Sequence, residues 1–167
     1  MKKMITTIIA TIFLILNFDG CSLLQKAYTE LEAESQYIEN QTAEIIRCFN
    51  QKDVEGLKKL FCLNSQEYYD LDSEIQNAFE YYEGTSESYI LYNSSSAGGG
   101  MDNGEWVDKH FRPDIKNIKT DAGKQYTIGF STYSIYKYDT GKVGIGILAL
   151  YDENDNTLAV IGGYDWQ

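Results

Sequence analysis

Residues 70–94 read DLDSEIQNAFEYYEGTSESYILYNS, and the hydrophobic period changes within them at Gly84. Before that glycine, Ile75, Phe79 and Tyr82 recur at helical spacing. Asp72 stands where a carboxylate can accept the free backbone N–H groups of a first helical turn. Gly84 can end the helix in the left-handed conformation. After it, SESYILYNS alternates with period 2 and predicts a strand.

Working outward, everything before this point is helical in pattern. In LEAESQYIENQTAEIIRCFN (31–50), Ile38, Thr42, Ile45, Ile46 and Phe49 make one apolar stripe, and Glu32, Glu34, Glu39, Glu44 and Arg47 lie off it. In NQKDVEGLKKLFCLNS (50–65), Asp53 is a natural N-cap, and Leu57, Leu60 and Phe61 form the apolar face of a short helix. Everything after Gly84 is strand-like. NSSSAGGGMDNG (93–104) reads as a flexible loop. WVDKHFRPDIKNIKT (106–120) reads as one long strand interrupted at Pro113, which marks a bulge or an edge. GKQYTIGFSTYSIYKYD, KVGIGILALYDE and TLAVIGGYDW supply further strands, joined by turns at 138–142 and 152–156. Helices first and an antiparallel meander second predict an α+β domain, with three helices packed on a curved sheet of four to five strands.

The chain begins MKKMITTIIATIFLILNFDGCSLLQK. Lys2 and Lys3 precede an uncharged run from Met4 to Phe18, the pattern of a signal peptide. A bilayer span needs about 20 apolar residues, and Asp19 cuts this run short. Gly20 and Cys21 match a bacterial lipobox, in which the cysteine takes the lipid, whereas Asp19 departs from it. The organisation expected is a signal peptide over 1–20, a tether over 21–29 and one domain over 30–167. Lipid attachment at Cys21 makes the protein extracytoplasmic and membrane-anchored; the alternatives are ordinary secretion and an uncleaved anchor.

The 167 residues carry 14 basic and 25 acidic side chains; without residues 1–20 the counts are 12 and 24, a net charge of −12. That balance speaks against nucleic acid and against a basic membrane-binding patch. Beyond Cys21, the remaining Cys48 and Cys62 can form a disulfide if their Cα atoms lie within about 7 Å, or can be two buried thiols.

The order of elements, with the segment IIRCFNQKDVEGLKKLF (45–61), resembles the NTF2-like (SnoaL-like) cone. The whole layout, lipoprotein signal included, is similar to a family of small Gram-positive lipoproteins of unknown function. The resemblance covers about residues 30–165, and its motif is structural: Asp53 caps while Leu57, Leu60 and Phe61 pack. It carries no catalytic residue across. It implies a half-open cone whose concave sheet face and helices enclose a pocket, and a homodimer formed through the sheet.

Chemistry-bearing motifs are scarce. His110 alone has a pKa suited to proton transfer at neutrality, but it stands among Asp108, Lys109 and Arg112 on a strand, a setting more typical of packing or surface. Neither a nucleophile elbow nor zinc spacing is present. Asp152-x-Asn154-x-Asn156 starts like a calcium loop but has Thr157 and Gly163 where glycine and glutamate are needed. Neither metal nor cofactor is expected. The distinctive asset is 14 Tyr, 7 Phe and 2 Trp. Unbroken alternation puts Tyr126, Ile128, Phe130, Tyr136 and Tyr138 on one face, Tyr133 and Ile135 on the other, and Val143, Ile145, Ile147, Ala149 and Tyr151 together on the next strand. Tyr126, Phe130, Tyr133, Tyr136 and Tyr151 are therefore the ligand-binding candidates. The function expected is an exported, non-catalytic module that binds a small ligand or an envelope protein. The alternative is a small cone-pocket isomerase or hydrolase using His110 or an acidic residue as base.

Overall fold

A computed structural model describes residues 2–92 and 98–163, with side chains for Gln25 and from residue 28 onward in those ranges. The chain forms two compact units, residues 1–37 and 38–167. The first unit is helical and belongs to α1 (Lys2–Gln51), so helix already occupies 21–29, the stretch expected to be a tether.

The second unit carries the expected stripe of α1. Ile38, Thr42, Ile45, Ile46 and Phe49 are all buried, while Glu39 and Glu44 are exposed. Three short helices follow: α2 (Val54–Lys58), α3 (Leu63–Tyr68) and α4 (Leu71–Tyr81). Asp53 caps α2 by accepting the Gly56 N–H at 2.8 Å. The cap of α4 is Asp70, which accepts from Ser73 N, and not Asp72, whose carboxylate instead meets Lys58 Nζ at 2.7 Å. The helix α3 is additional to the three expected. It buries a single side chain, Ser65, and so has no apolar period to betray it.

Strand β1 (Ser86–Tyr92) begins two residues beyond Gly84, which has φ +81°. Its sheet has the order β1–β5–β6–β7–β8, every pair antiparallel and the sheet open, with β5 at Asp114–Thr120, β6 at Gln125–Tyr136, β7 at Gly144–Tyr151 and β8 at Thr157–Gly162. The segment around Pro113 is two strands, β4 (Asp108–Phe111) and β5, which pair with the far and near halves of the 12-residue β6. Between β1 and β4 lies a small hairpin, β2 (Met101–Asp102) with β3 (Glu105–Trp106). The glycine run is a close backbone approach and not only a connector. Gly98 and His110 exchange both backbone hydrogen bonds, and a Cβ on Gly99 would lie 2.2 Å from Asp108 O. Residues 93–97 of the expected loop, and residues 164–166 of the expected last strand, lie outside the described residues.

Helices and sheet share one apolar core. From the helices come Ile45, Phe49, Leu57, Ile75 and Phe79, and from the strands Ile115, Ile118, Ile128, Leu148 and Ile161. Phe49 meets Phe79 and Tyr82 edge-on, each with ring centroids 5.1 Å apart. The other sheet face carries no helix of the second unit.

Bulges decide which side chains reach the core. Ser131 pairs with Ile147 but Thr132 with Ile145, so Gly146 is an extra residue in β7. Ile145 thereby joins Leu148 and Leu150 in the core, while Ile147, Ala149 and Tyr151 keep the helix-free face. Likewise Lys109 pairs with Ile135 but His110 with Tyr133, which makes Ser134 an extra residue in β6. Tyr136 therefore shares the side of Tyr133 and not that of Tyr126 and Phe130. A one-residue insertion inverts every later side chain, which unbroken alternation cannot anticipate.

Candidate functional site

The structure separates the five candidate aromatic residues into three places. Tyr126 and Phe130, each 4% exposed, are core residues. The Tyr126 hydroxyl donates to Tyr81 O at 2.9 Å and accepts from Glu83 N at 3.0 Å, tying the end of α4 to the sheet. Tyr133 and Tyr136 form an edge-to-face pair, centroids 4.9 Å apart, on the far half of β6. Tyr138 continues the series at 6.3 Å, and Lys142 Nζ sits 4.7 Å from the Tyr136 centroid. Tyr151 lies on the helix-free face. The expected pocket between helices and concave sheet is thus filled at these positions by Tyr126 and Phe130.

His110 belongs to the second place. Its half-buried ring packs edge-on against Tyr133, centroids 5.5 Å apart, and lies against Gly98, where a Cβ would come within 2.4 Å of the imidazole Cε1. It lines none of the grooves described below. Phe111, its neighbour in sequence, is buried.

Cys48 and Cys62 are free and buried in different surroundings. Burial pushes the Cys48 thiol up to about 11, against the opposing pull of Arg47, whose guanidinium lies 3.3 Å from Sγ. Cys62 meets Ser65 Oγ at 3.3 Å. Arg47 also holds Glu44 and Asp53, each at 2.8 Å, and these hydrogen bonds raise its already high pKa. Cys21 has no described side chain, so lipid attachment lies outside the described residues. Among the described residues, no helix is long and apolar enough to cross a membrane, and no group of three His, Cys, Asp or Glu side chains could hold a metal.

Two concave features stand out. The larger, about 520 Å³, lies where the end of α4 meets the β5–β6 and β7–β8 turns, and its walls include Tyr81, Glu83, Lys124, Gln125, Glu153 and Asn154. Asp152 organises one wall: its carboxylate accepts Asn154 N at 2.9 Å, Asn156 N at 2.8 Å and Asn156 Nδ2 at 2.8 Å. Those bonds, led by the one from the Asn156 side chain, hold its pKa below the ordinary carboxylate value. The failed calcium loop is thus a turn that closes on its own first residue. The smaller feature, about 210 Å³, is a trench on the helix-free face over Gly129 and Ala149, bordered by Arg112, Asp114, Ile147 and Tyr151. The registers place Tyr92, Asp114, Gly129, Ala149 and Val160 side by side across five strands. The small residues at its centre make the trench, and Tyr92, Ile90 and Val160 stand exposed around it.

Of the five aromatic candidates only Tyr126 also borders the larger groove; its charged and amide walls were not candidates from the sequence. They come from three segments spread over about 70 positions, and each segment alone is an ordinary polar connection. The one available signal was Asp152-x-Asn154-x-Asn156, which marked a self-bonded turn.

Residues 44–153 match a family model described as a domain of unknown function (DUF5104). The chain belongs to that family. The DUF5104 match runs from the end of α1 through β7, taking in α2, α3, α4 and the sheet up to the β7–β8 turn. It covers the trench residues from Arg112 to Tyr151 and the groove residues from Tyr81 to Glu153. No curated protein matches the chain.

Proposed function

We propose that this DUF5104 protein is an exported, lipid-anchored, non-catalytic module of the cell envelope that binds a small ligand or a protein partner. The observation that carries the reading is the helix-free sheet face, where Ile90, Tyr92 and Val160 are 56%, 57% and 45% exposed around a trench. Scattered apolar side chains are normal on a surface, but exposed ones on both edge strands, flanking a trench floored by Gly129 and Ala149, suit association. The amino terminus supports export, through Lys2, Lys3, the apolar run and Gly20-Cys21. The packing of His110 between Gly98 and Tyr133 supports a role in holding β4 to its neighbours over one as a base. An NTF2-like relationship, and kinship with small Gram-positive lipoproteins, are part of the same proposal. They are supported by the order of helices before an open antiparallel sheet. A second copy of the chain is one partner the sheet face can take.

Cell fractionation tests the anchoring and affinity capture tests the binding. The wild-type protein is expected in the membrane fraction with a lipid-modified Cys21 at its amino terminus, and Cys21→Ser should abolish both. Captured from envelope extract, the wild type should retain a partner that Val160→Lys loses. Recovery of the intact precursor in the cytosol would end the first half of the proposal. Capture unaffected by Val160→Lys and Tyr92→Lys would remove the sheet face from the second.

A further inference from the structure

We infer that the groove between the end of α4 and the β5–β6 and β7–β8 turns is a saccharide site, taking a neutral or amino sugar. The inference rests on the ligand-binding half of the function proposed above and gives it a place and a chemistry. At about 520 Å³ the groove falls in the roughly 300–1,000 Å³ range of small-molecule sites.

Its walls are fixed before any ligand arrives. Tyr126 clamps the backbone at Tyr81 and Glu83, and the Asp152 carboxylate closes the β7–β8 turn with three hydrogen bonds. Backbone bonds from Thr120 N to Lys124 O at 3.0 Å and from Gly123 N to Thr120 O at 2.9 Å close the β5–β6 turn. Fixed walls reduce the ordering cost of binding.

The lining selects by chemistry. Carboxylates at Glu83, Asp152 and Glu153 face one ammonium, Lys124, so an anionic ligand is disfavoured. Apolar surface comes only from Leu158 and the two tyrosines, too little for a hydrophobic ligand. Asp152 is committed to its own turn and Glu83 Oε1 pairs with Lys124 Nζ at 3.4 Å, which leaves Glu153 and the second oxygen of Glu83 as acceptors for hydroxyl or ammonium protons. Gln125 and Asn154 supply amides that both donate and accept. Tyr81, 47% exposed, offers its ring to the C–H face of a pyranose. Hydroxyls in number, one apolar face and no negative charge describe a neutral or amino sugar.

The test is titration of the full-length chain with cellobiose, N-acetylglucosamine and glucosamine, followed by amide NMR shifts and saturation transfer. At least one sugar should shift Tyr81, Glu83 and Asn154 saturably. Tyr81→Ala and Glu153→Gln should each weaken binding about tenfold, while Tyr92→Ala on the sheet face leaves it unchanged. Both groove substitutions replace exposed side chains, and circular dichroism verifies their folding. No saturable shift with any of the three sugars up to about 10 mM, or binding that survives both groove substitutions, overturns the assignment. A partner that maps to Tyr92 and Val160 while the groove stays silent overturns the assignment and leaves the binding module standing. Silence of both surfaces toward sugars and envelope extract alike ends both.

Discussion

At Gly144 the backbone takes φ +119°, and a Cβ there would lie 2.9 Å from Cys62 N and 3.1 Å from Leu60 O. Those backbone atoms are held in place: Cys62 N donates to Ile145 O at 2.8 Å, and Ile145 N donates to Leu60 O at 2.9 Å. Strain and overlap then act together, and Gly144→Ala should lower unfolding free energy by about 2–4 kcal/mol in urea titrations. Two buried acids pull stability down on the alkaline limb, against Lys52, whose burial lowers its pKa and acts in the opposite sense. Burial raises Cys48 from 9.0 to about 11 and Tyr82 from 10.0 to about 12. The unfolded chain loses these protons first, so their contribution is complete below pH 9 and is lost as pH rises through 11 and 12. Stability measured against pH should be level to about 9 and decline beyond it, and Cys48→Ala should flatten the earlier part of that decline. Only part of this was legible in the sequence. Buried thiols were one of the two readings for Cys48 and Cys62, but which neighbours they meet depends on residues distant in the chain.

Among the elements, α2 is five residues long and has little stability of its own. Asp53 holds it twice, accepting Gly56 N and pairing with Arg47 from α1. Asp53→Ala should cost about 1–2 kcal/mol at neutral pH. The Arg47 hydrogen bond, then the Gly56 N–H, hold the Asp53 carboxyl below its ordinary 3.8. Its contribution is therefore present above pH 3.8 and lost as pH falls through the lower folded value, so wild type and variant should converge in acid denaturation. For α4 the sequence reading named Asp72, two residues beyond the cap that the structure shows, Asp70. Asp70→Ala should cost about 1 kcal/mol, and Asp72→Ala, which removes a half-exposed ion pair, less than that in the same thermal melts. The α1 stripe and strands β1, β6, β7 and β8 could be read directly, because each repeats a local period, whereas β4 and β5 were read as one strand. The bulges at Gly146 and Ser134 could not, since each is set by pairing with another strand.

For the molecule as a whole, the helix-free face can be altered without touching the core. Val160 is 45% exposed and pairs only with Ala149 across the sheet, so Val160→Lys should leave the melting temperature within about 2 °C of wild type. Loss of partner capture without loss of stability is the expected signature, read by differential scanning calorimetry beside the affinity experiment. The net charge of −11 is the physical ground for expecting no polyanionic partner.

Local repetition was enough to establish the class of this protein. A 3.6-residue period before Gly84 and a two-residue period after it require helices and then strands, and a one-sided apolar stripe requires the two to pack. The basic start, apolar run and Gly20-Cys21 are equally local features, and the export expected from them is part of the proposed function. The surfaces available for binding were decided by tertiary structure alone. Bulges turned Ile145 inward and moved Tyr136 beside Tyr133, and three remote turns converged to make the groove. Backbone pairing between distant segments has no signature in either segment by itself.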